Sequence, residues 1–476
     1  KCMSILSKLF AGTLGFKLLT AECHEISHVW HPNCYIAIWQ AAKDGVVVIL
    51  KIYGGLYILN SFVRNQGDPR RINWKKVLRD TLRSTLFLLV NMAGFLFWLC
   101  QLSANVKRAV TFVACFKVKV KIFGFAIWPN VAFVNSFLGS LPAILIENKR
   151  RRPMLTLYML NLASESLFRQ MVHRRYVRPM RHGQALLFSI GFAVLFHFLS
   201  DTNRTPLAGD SDLRQMLRLT HGSMGSNALS IPTYPVHFHQ LIKTAVEFLR
   251  RLGGRHHLCS HPETTSCISN ALEPALRNFG FGFVGSLLLK VVQNLRSPNK
   301  LLGMISDKRM LKLPTFLALM PLLFQASRCI MNRLFGKKIN HAPSIAGALS
   351  GMAMLFWPNT SVAMYTLWKA IEIAYFKLAE KFWFIPMVKG GDILLYSIAA
   401  GYLIGVAVVE PQALRKNYYK FLCDITGNRM VLFNRRLLQC FGFESNKMFE
   451  NYFAQLHPKY ITINPDLYMP VKSATM

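Results

Sequence analysis

The chain is poor in acid and poor in charge altogether. Its 476 residues hold 22 Asp and Glu against 57 Lys and Arg, and charged residues make up only 17%. Soluble globular chains carry about 25%, so the deficit argues against an ordinary soluble domain. Cysteine is sparse as well. Ten over this length exclude a disulfide-knit secreted scaffold, which packs its cysteines into a far smaller chain. No P-loop, nucleophile elbow or H-E-x-x-H motif occurs, so no enzyme class finds support and the chain is expected not to be an enzyme. Gly280-x-Gly282-x-x-Gly285 has the spacing of a dinucleotide fingerprint but lies within an apolar run. Without a preceding strand it reads as packing. Phe10 to Leu19 is apolar and has no small-residue cleavage site, so a secretory signal peptide is not expected.

What the chain does have is apolar runs. Gly45 to Val63, Leu86 to Ser103, Ile122 to Ile146, Gln184 to Ser200, Phe279 to Val292, Pro314 to Leu334 and Ile393 to Val409 are the clearest. A membrane span needs roughly 20 mainly apolar residues, so the expected fold is all-α and polytopic. Leu155 to Phe168, Ala342 to Trp357 and Ser361 to Leu378 are weaker runs, and their parity decides the topology. The net charge of +35 sits in short basic loops between runs, as in Arg64 to Arg83, Lys107 to Lys121, Lys149 to Arg152 and Arg169 to Arg181. Such loops suit anionic lipid headgroups, at on the order of 1 kcal/mol per charge near the surface. Anionic membrane lipids are therefore the expected partner, and nucleic acid is not. With consecutive loops all basic, charge bias assigns no orientation.

The apolar pattern occurs twice. Pro179-Met180 followed by Gly183 and Leu186-Leu187-Phe188-Ser189-Ile190 returns as Pro386-Met387 followed by Gly390 and Leu394-Leu395-Tyr396-Ser397-Ile398. Tyr158 and Glu165 recur as Tyr365 and Glu372, and Gly139 recurs as Gly347, all at an offset of 207 or 208 residues. A period that long is a duplicated domain, a common plan of transporters and channels. The resulting organisation is a Cys/His-rich segment over 1–43, a first membrane repeat over 44–200 and a polar connector over 201–267. A second repeat over 268–410 and a polar, aromatic-rich tail over 411–476 complete it.

A Cys/His cluster precedes each repeat. Cys23, His28, His31 and Cys34 form the first, and His257, Cys259, His261 and Cys267 the second. Two thiolates and two imidazoles satisfy a tetrahedral zinc ion, so a structural zinc is one reading. Reduced side chains packed at a helix entrance are the other. Glu165 and Glu372 occupy equivalent places in amphipathic segments, with Arg169 and Lys369 at helix-pairing distance. An ionised group at membrane depth costs about 2.5–3.5 kcal/mol or more. Such a pair either faces a polar cavity or lies on an interfacial helix. Glu147, beside Lys149 to Arg152, reads as an interfacial residue. Gly347-x-x-x-Gly351, Gly401-x-x-x-Gly405 and Gly139 with Ala143 place small residues on one helical face, the spacing of close packing in lipid.

Trp30-His31-Pro32-Asn33-Cys34, Ile144-Leu145-Ile146-Glu147-Asn148-Lys149 and Tyr158-Met159-Leu160-Asn161-Leu162-Ala163 resemble the transmembrane protein 135 family. So do Glu165-Ser166-Leu167-Phe168-Arg169, Leu414-Arg415-Lys416-Asn417-Tyr418-Tyr419 and His457-Pro458-Lys459-Tyr460. The resemblance implies a multi-pass protein of mitochondrial and peroxisomal membranes. It implies a role in the balance of mitochondrial fission and fusion through a dynamin-related fission GTPase, and in mitochondrial and peroxisomal lipid metabolism. A lipid or small-solute conduit like the mitochondrial translocase channels is the alternative expectation.

Overall fold

The computed structural model describes residues 21–65, 68–114, 132–199, 248, 266–294, 308–336, 341–439 and 442–463. The connector lies outside them except for Phe248, Ser266 and Cys267, as do the first 20 residues. Among the described residues all regular structure is helical. The principal helices are α1 (Cys23–Ile26), α2 (Cys34–Arg64), α3 (Trp74–Ala114), α4 (Val134–Ile146), α5 (Arg152–His173) and α6 (Gly183–Leu199). They continue as α7 (Cys267–Asn294), α8 (Lys312–Leu334), α9 (Ala342–Gly351), α10 (Thr360–Lys381) and α11 (Gly391–Val409). Two shorter ones follow, α12 (Lys416–Ile425) and α13 (Arg435–Leu438).

Among the described residues, four helical stretches are long and apolar enough to cross a membrane: Cys34–Phe62, Trp74–Gln101, Arg309–Leu334 and Gly391–Val409. The chain is an all-α polytopic membrane protein. Val134–Ile146, Gly183–Phe198 and Ala342–Leu355 are apolar but shorter. A helix of 13 residues such as α4 rises about 20 Å, short of a hydrocarbon core of about 30 Å.

The chain forms two compact units, 1–177 with 388–476 and 178–387. The first joins α2, α3, α4 and α5 of the first repeat to α11 of the second, with α11 packed on α4 and α5. The second joins α7, α8, α9 and α10 to α6 of the first repeat, with α6 packed on α9 and α10. The fifth helix of each repeat thus belongs to the unit built from the other. Equivalent helices open in register, since Val134, Arg152 and Gly183 correspond to Ala342, Thr360 and Gly391 at an offset of 208. Within α5 and α10 three buried positions match at an offset of 207: Thr156, Met159 and Ser166 with Ala363, Thr366 and Ile373.

The cores differ in kind. The second unit is built on a ladder of aromatic rings in which Phe188 and Phe192 lie 4.3 Å apart, as do Phe196 and Phe324. In the first unit α11 presents Ala399, Ala400, Leu403, Ala407 and Val408, and small side chains admit a close neighbour. The tail of this unit is not a loose polar arm. Residues 410–463 fold as a cap whose Leu414, Tyr419, Leu422, Phe433, Leu438 and Ile463 join the same core. The C-terminal end of α12 rests on the backbone of α2, and a Cβ at Gly45 would collide with the Ile425 carbonyl oxygen. Only glycine permits that approach.

Arg435 is the hub of the cap. It is 1% exposed, and its guanidinium donates to the carbonyls of Val431, Ala407 and Met430 and to the Tyr419 hydroxyl at 2.8–3.3 Å. It also stacks 4.5 Å from the Phe449 ring centroid. Burial pulls its pKa below the ordinary value. The ring of carbonyl acceptors is what makes a buried cation tolerable.

Candidate metal centre

The segment before α2 folds back on itself by local hydrogen bonds. Glu22 caps α1 in a reciprocal capping box with Glu25. The Ser27 hydroxyl donates to the Cys23 carbonyl at 2.8 Å and closes the turn. Asn33 then accepts from the amides of Tyr35 and Ile36 at 3.0 and 3.3 Å, so α2 starts with Cys34 in its first turn. These turns bring Cys23, His28 and Cys34 together, and α3 supplies Cys100 from across the unit.

One ligand atom from each of Cys23, His28, Cys34 and Cys100 lies within 4.8 Å of every other. The Cys23 and Cys34 sulfurs are 3.6 Å apart, and Cys100 Sγ is 3.3 Å from His28 Nε2. A tetrahedral zinc with bonds near 2.3 Å has ligand–ligand edges of about 3.8 Å, so the four groups need little movement to hold one ion. His28 Nδ1 is 2.8 Å from the His31 carbonyl oxygen. A carbonyl only accepts, so Nδ1 carries a proton, and Nε2 is the nitrogen that would turn a lone pair toward the sulfurs on losing its own. Orientation of a ligand imidazole through its other nitrogen is the usual supporting contact of a metal site. His28 and Cys100 are buried, while Cys23 and Cys34 are half-buried. The cluster is able to hold a metal ion.

Burial alone disfavours charge on His28, but hydrogen bonds that its ring donates to the sulfurs of Cys23 and Cys34 and to the His31 carbonyl outweigh it and raise its pKa to about 10. The imidazole and the thiols thus compete for protons that a metal would displace. At neighbouring His24 burial wins, and its pKa is lowered. At Glu25 burial would raise the pKa, yet the amides of Glu22, Thr462 and Ile463 and the Thr462 hydroxyl lower it.

The structure therefore redraws the first cluster. His31 is not beside the sulfurs. Its ring faces the Asn33 amide at 3.0 Å, and its contribution is the carbonyl that orients His28. Cys100 takes the fourth place. Its only sequence signal is a thiol at the end of an apolar run, with nothing local to pair it with the first cluster. In the second cluster, Cys267 is half-buried at the start of α7, and His257, Cys259 and His261 lie outside the described residues.

Glu165 is 5% exposed. Its Oε1 accepts from Arg169 at 2.6 Å, one turn along α5. Its Oε2 accepts from Arg415 Nε at 2.6 Å and also meets that residue's terminal nitrogen. Glu372 is half-buried and meets Lys369 of its own helix at 2.6 Å. Glu147, read from the sequence as interfacial, is 1% exposed. It accepts from the Ser84 hydroxyl at 2.8 Å and pairs with Arg151 at 3.4 Å, and Tyr57 lies 2.8 Å from the same hydroxyl. The sequence hid this because Glu147 neighbours a basic run in the chain, whereas in space it faces α3.

The packing glycines sit at helix crossings. A Cβ at Gly139 would meet the Gly94 backbone at 2.7 Å, and one at Gly351 would come closer still to Ser189 Cα. Gly347 abuts the Phe192 backbone at 2.8 Å, Gly401 faces Phe137 at 3.1 Å, and Gly405 has ordinary contacts at 3.6 Å. Ala143 is fully buried in the same core. Gly282 approaches Pro314 at 2.7 Å, in keeping with packing and not with cofactor binding.

Residues 20–172 match the family described as the N-terminal cysteine-rich region of transmembrane protein 135. That match supports a relation to the transmembrane protein 135 family. The matched stretch contains all four cysteine and histidine ligands of the cluster together with Glu147 and Glu165. No solved structure matches the chain.

Proposed function

We propose that this chain belongs to the transmembrane protein 135 family and is a non-enzymatic regulator in mitochondrial and peroxisomal membranes. In this reading it shifts the balance of mitochondrial fission and fusion and influences organelle lipid metabolism by recruiting or activating a dynamin-related GTPase. The family match over residues 20–172 supports the reading. The structural observation that carries it is the cap: residues 410–463 form a folded module rooted in the core of the first unit. Its outer face includes Lys416, Asn417 and Lys420 on α12. A rigid, basic surface suits an acidic patch on a soluble partner.

Removing the whole tail would strip the core and test folding instead. Lys416→Glu with Lys420→Glu keeps the buried face of α12 intact. In cells lacking the protein, this variant is expected to reach its membrane yet fail to restore mitochondrial length and GTPase recruitment. Full rescue would remove the cap surface from the proposal.

The Cys23, His28, Cys34 and Cys100 group is read as a structural zinc site. Three sulfurs and one imidazole form a closed tetrahedral set, and bound zinc would cross-link α2, α3 and the segment before them. Elemental analysis of the purified protein tests this, with one zinc per chain expected.

A conduit for lipid or a small solute is the second reading, favoured by the polar group within the first unit in which buried Ser84 and Glu147 meet half-buried Arg151 and Tyr57. Glu147→Gln should then alter flux in reconstituted vesicles without unfolding the protein.

A further inference from the structure

Between the ligands Cys23 and His28 lie residues whose outward contacts run to the cap. The Glu25 carboxylate is fully buried. It accepts from the amides of Thr462 and Ile463 at 2.5 and 3.2 Å and from the Thr462 hydroxyl at 2.7 Å. The Asn434 amide donates to the Ile26 carbonyl at 2.8 Å. The His24 ring meets Tyr460 edge-on at 6.1 Å. Just beyond His28, Trp30 lies under the Arg429 guanidinium at 4.9 Å. The loop that presents two ligands is thus also the socket for the far end of the chain.

We infer that the metal centre is a latch for the cap, resting on the zinc reading above: metal binding holds residues 24–30 in the shape that receives residues 429–463, and metal loss releases them. The physical basis is the size of the element. α1 has four residues, far too few to be helical by itself, since isolated helices shorter than about 12–15 residues are marginal in water. Its shape must come from what ties its two ends. The N-terminal end is Cys23, and the segment that follows returns through His28 and Cys34, so an ion binding all three would fix both ends. With the ends free, Glu25 would lose its geometry toward Thr462 and Ile463. A buried carboxylate without those donors is costly, so it would turn to water and leave the cap without its anchor. The arrangement couples zinc availability to the presentation of the cap.

The test uses full-length protein in lipid nanodiscs and reads two quantities, bound zinc and amide exchange across residues 429–463. Stripping zinc with a chelator should make those amides exchange roughly tenfold faster or more, the factor expected when charge-assisted hydrogen bonds are lost. Adding zinc back should restore protection. Cys100→Ser, a ligand on α3 outside the socket, should lose zinc and show the fast cap. Glu25→Gln, in the socket but not a ligand, should keep zinc and still show the fast cap. Zinc removed with cap exchange unchanged would overturn the latch while leaving the zinc site standing. A protected cap in Glu25→Gln would likewise overturn it. Wild-type protein that neither contains nor takes up zinc would overturn the site and the latch together. Should Cys100→Ser fail to fold, stripping and restoring zinc on the wild type decides the question.

Discussion

The two units share one helical plan and differ in what covers it. In the first, Glu165 has two guanidinium partners, one from its own helix and one, Arg415, from the cap. In the second, Glu372 has Lys369 of its own helix, and the two side chains remain 20% and 27% exposed. The same duplicated carboxylate is thus a tether for the cap in one unit and a surface pair in the other. The two positions are matched in sequence, and the elements packed around each decide what it does. The glycines tell the same story. In the second unit the tightest crossing uses Gly351 of α9 against α6, whereas in the first the swapped helix itself carries Gly401 toward α4.

Five substitutions break or sharpen this comparison. The largest effect is expected at the hub that the second unit lacks among the described residues. Arg435→Met leaves several buried acceptors without a donor and should destabilise the first unit by about 3 kcal/mol or more. Amide exchange resolved by peptide should show the loss in residues 410–463 and the helices beneath, with α8 and α10 unchanged.

Glu165→Leu should come next. It removes the acceptor of two guanidiniums, and a hydrogen bond to a charged group contributes about 1.5–3 kcal/mol. Arg169 and Arg415 are partly exposed and recover some hydration, so about 2 kcal/mol is expected from thermal unfolding. A loss no larger than that of the matched Glu372 variant would erase the distinction between the units.

Gly351→Ala forces a methyl group against the Ser189 backbone and should cost about 1–3 kcal/mol, the usual range for overpacking. The same change at Gly405, whose neighbours are at ordinary contact distance, should be nearly silent. Glu372→Leu should cost less than Glu165→Leu or Gly351→Ala, because partly exposed pairs contribute about 0–1 kcal/mol. A cost above about 2 kcal/mol there would show that Glu372 is held as firmly as Glu165, whose two hydrogen-bonded cations set that scale.

Much of this molecule was legible before folding. The apolar runs identify the membrane helices because a span must be long and dry, and the repeat identifies equivalent helices because side-chain pattern follows packing face. Arg169 and Lys369 were readable as partners, since three or four residues make one helical turn. Cys23, His28 and Cys34 could be grouped because short turns keep near neighbours in sequence near in space. Sequence by itself therefore determined the helices, the matched spacing of their two series and three members of the Cys/His cluster. Only the tertiary structure decided that α6 and α11 change places between units, because a repeat states which helices are alike and not which partners they choose. It also decided that Cys100 completes the cluster, that Glu147 is buried, and that Arg415 and Thr462 reach back to Glu165 and Glu25. Those contacts join residues far apart along the chain, and no local period or spacing encodes a meeting that packing alone brings about.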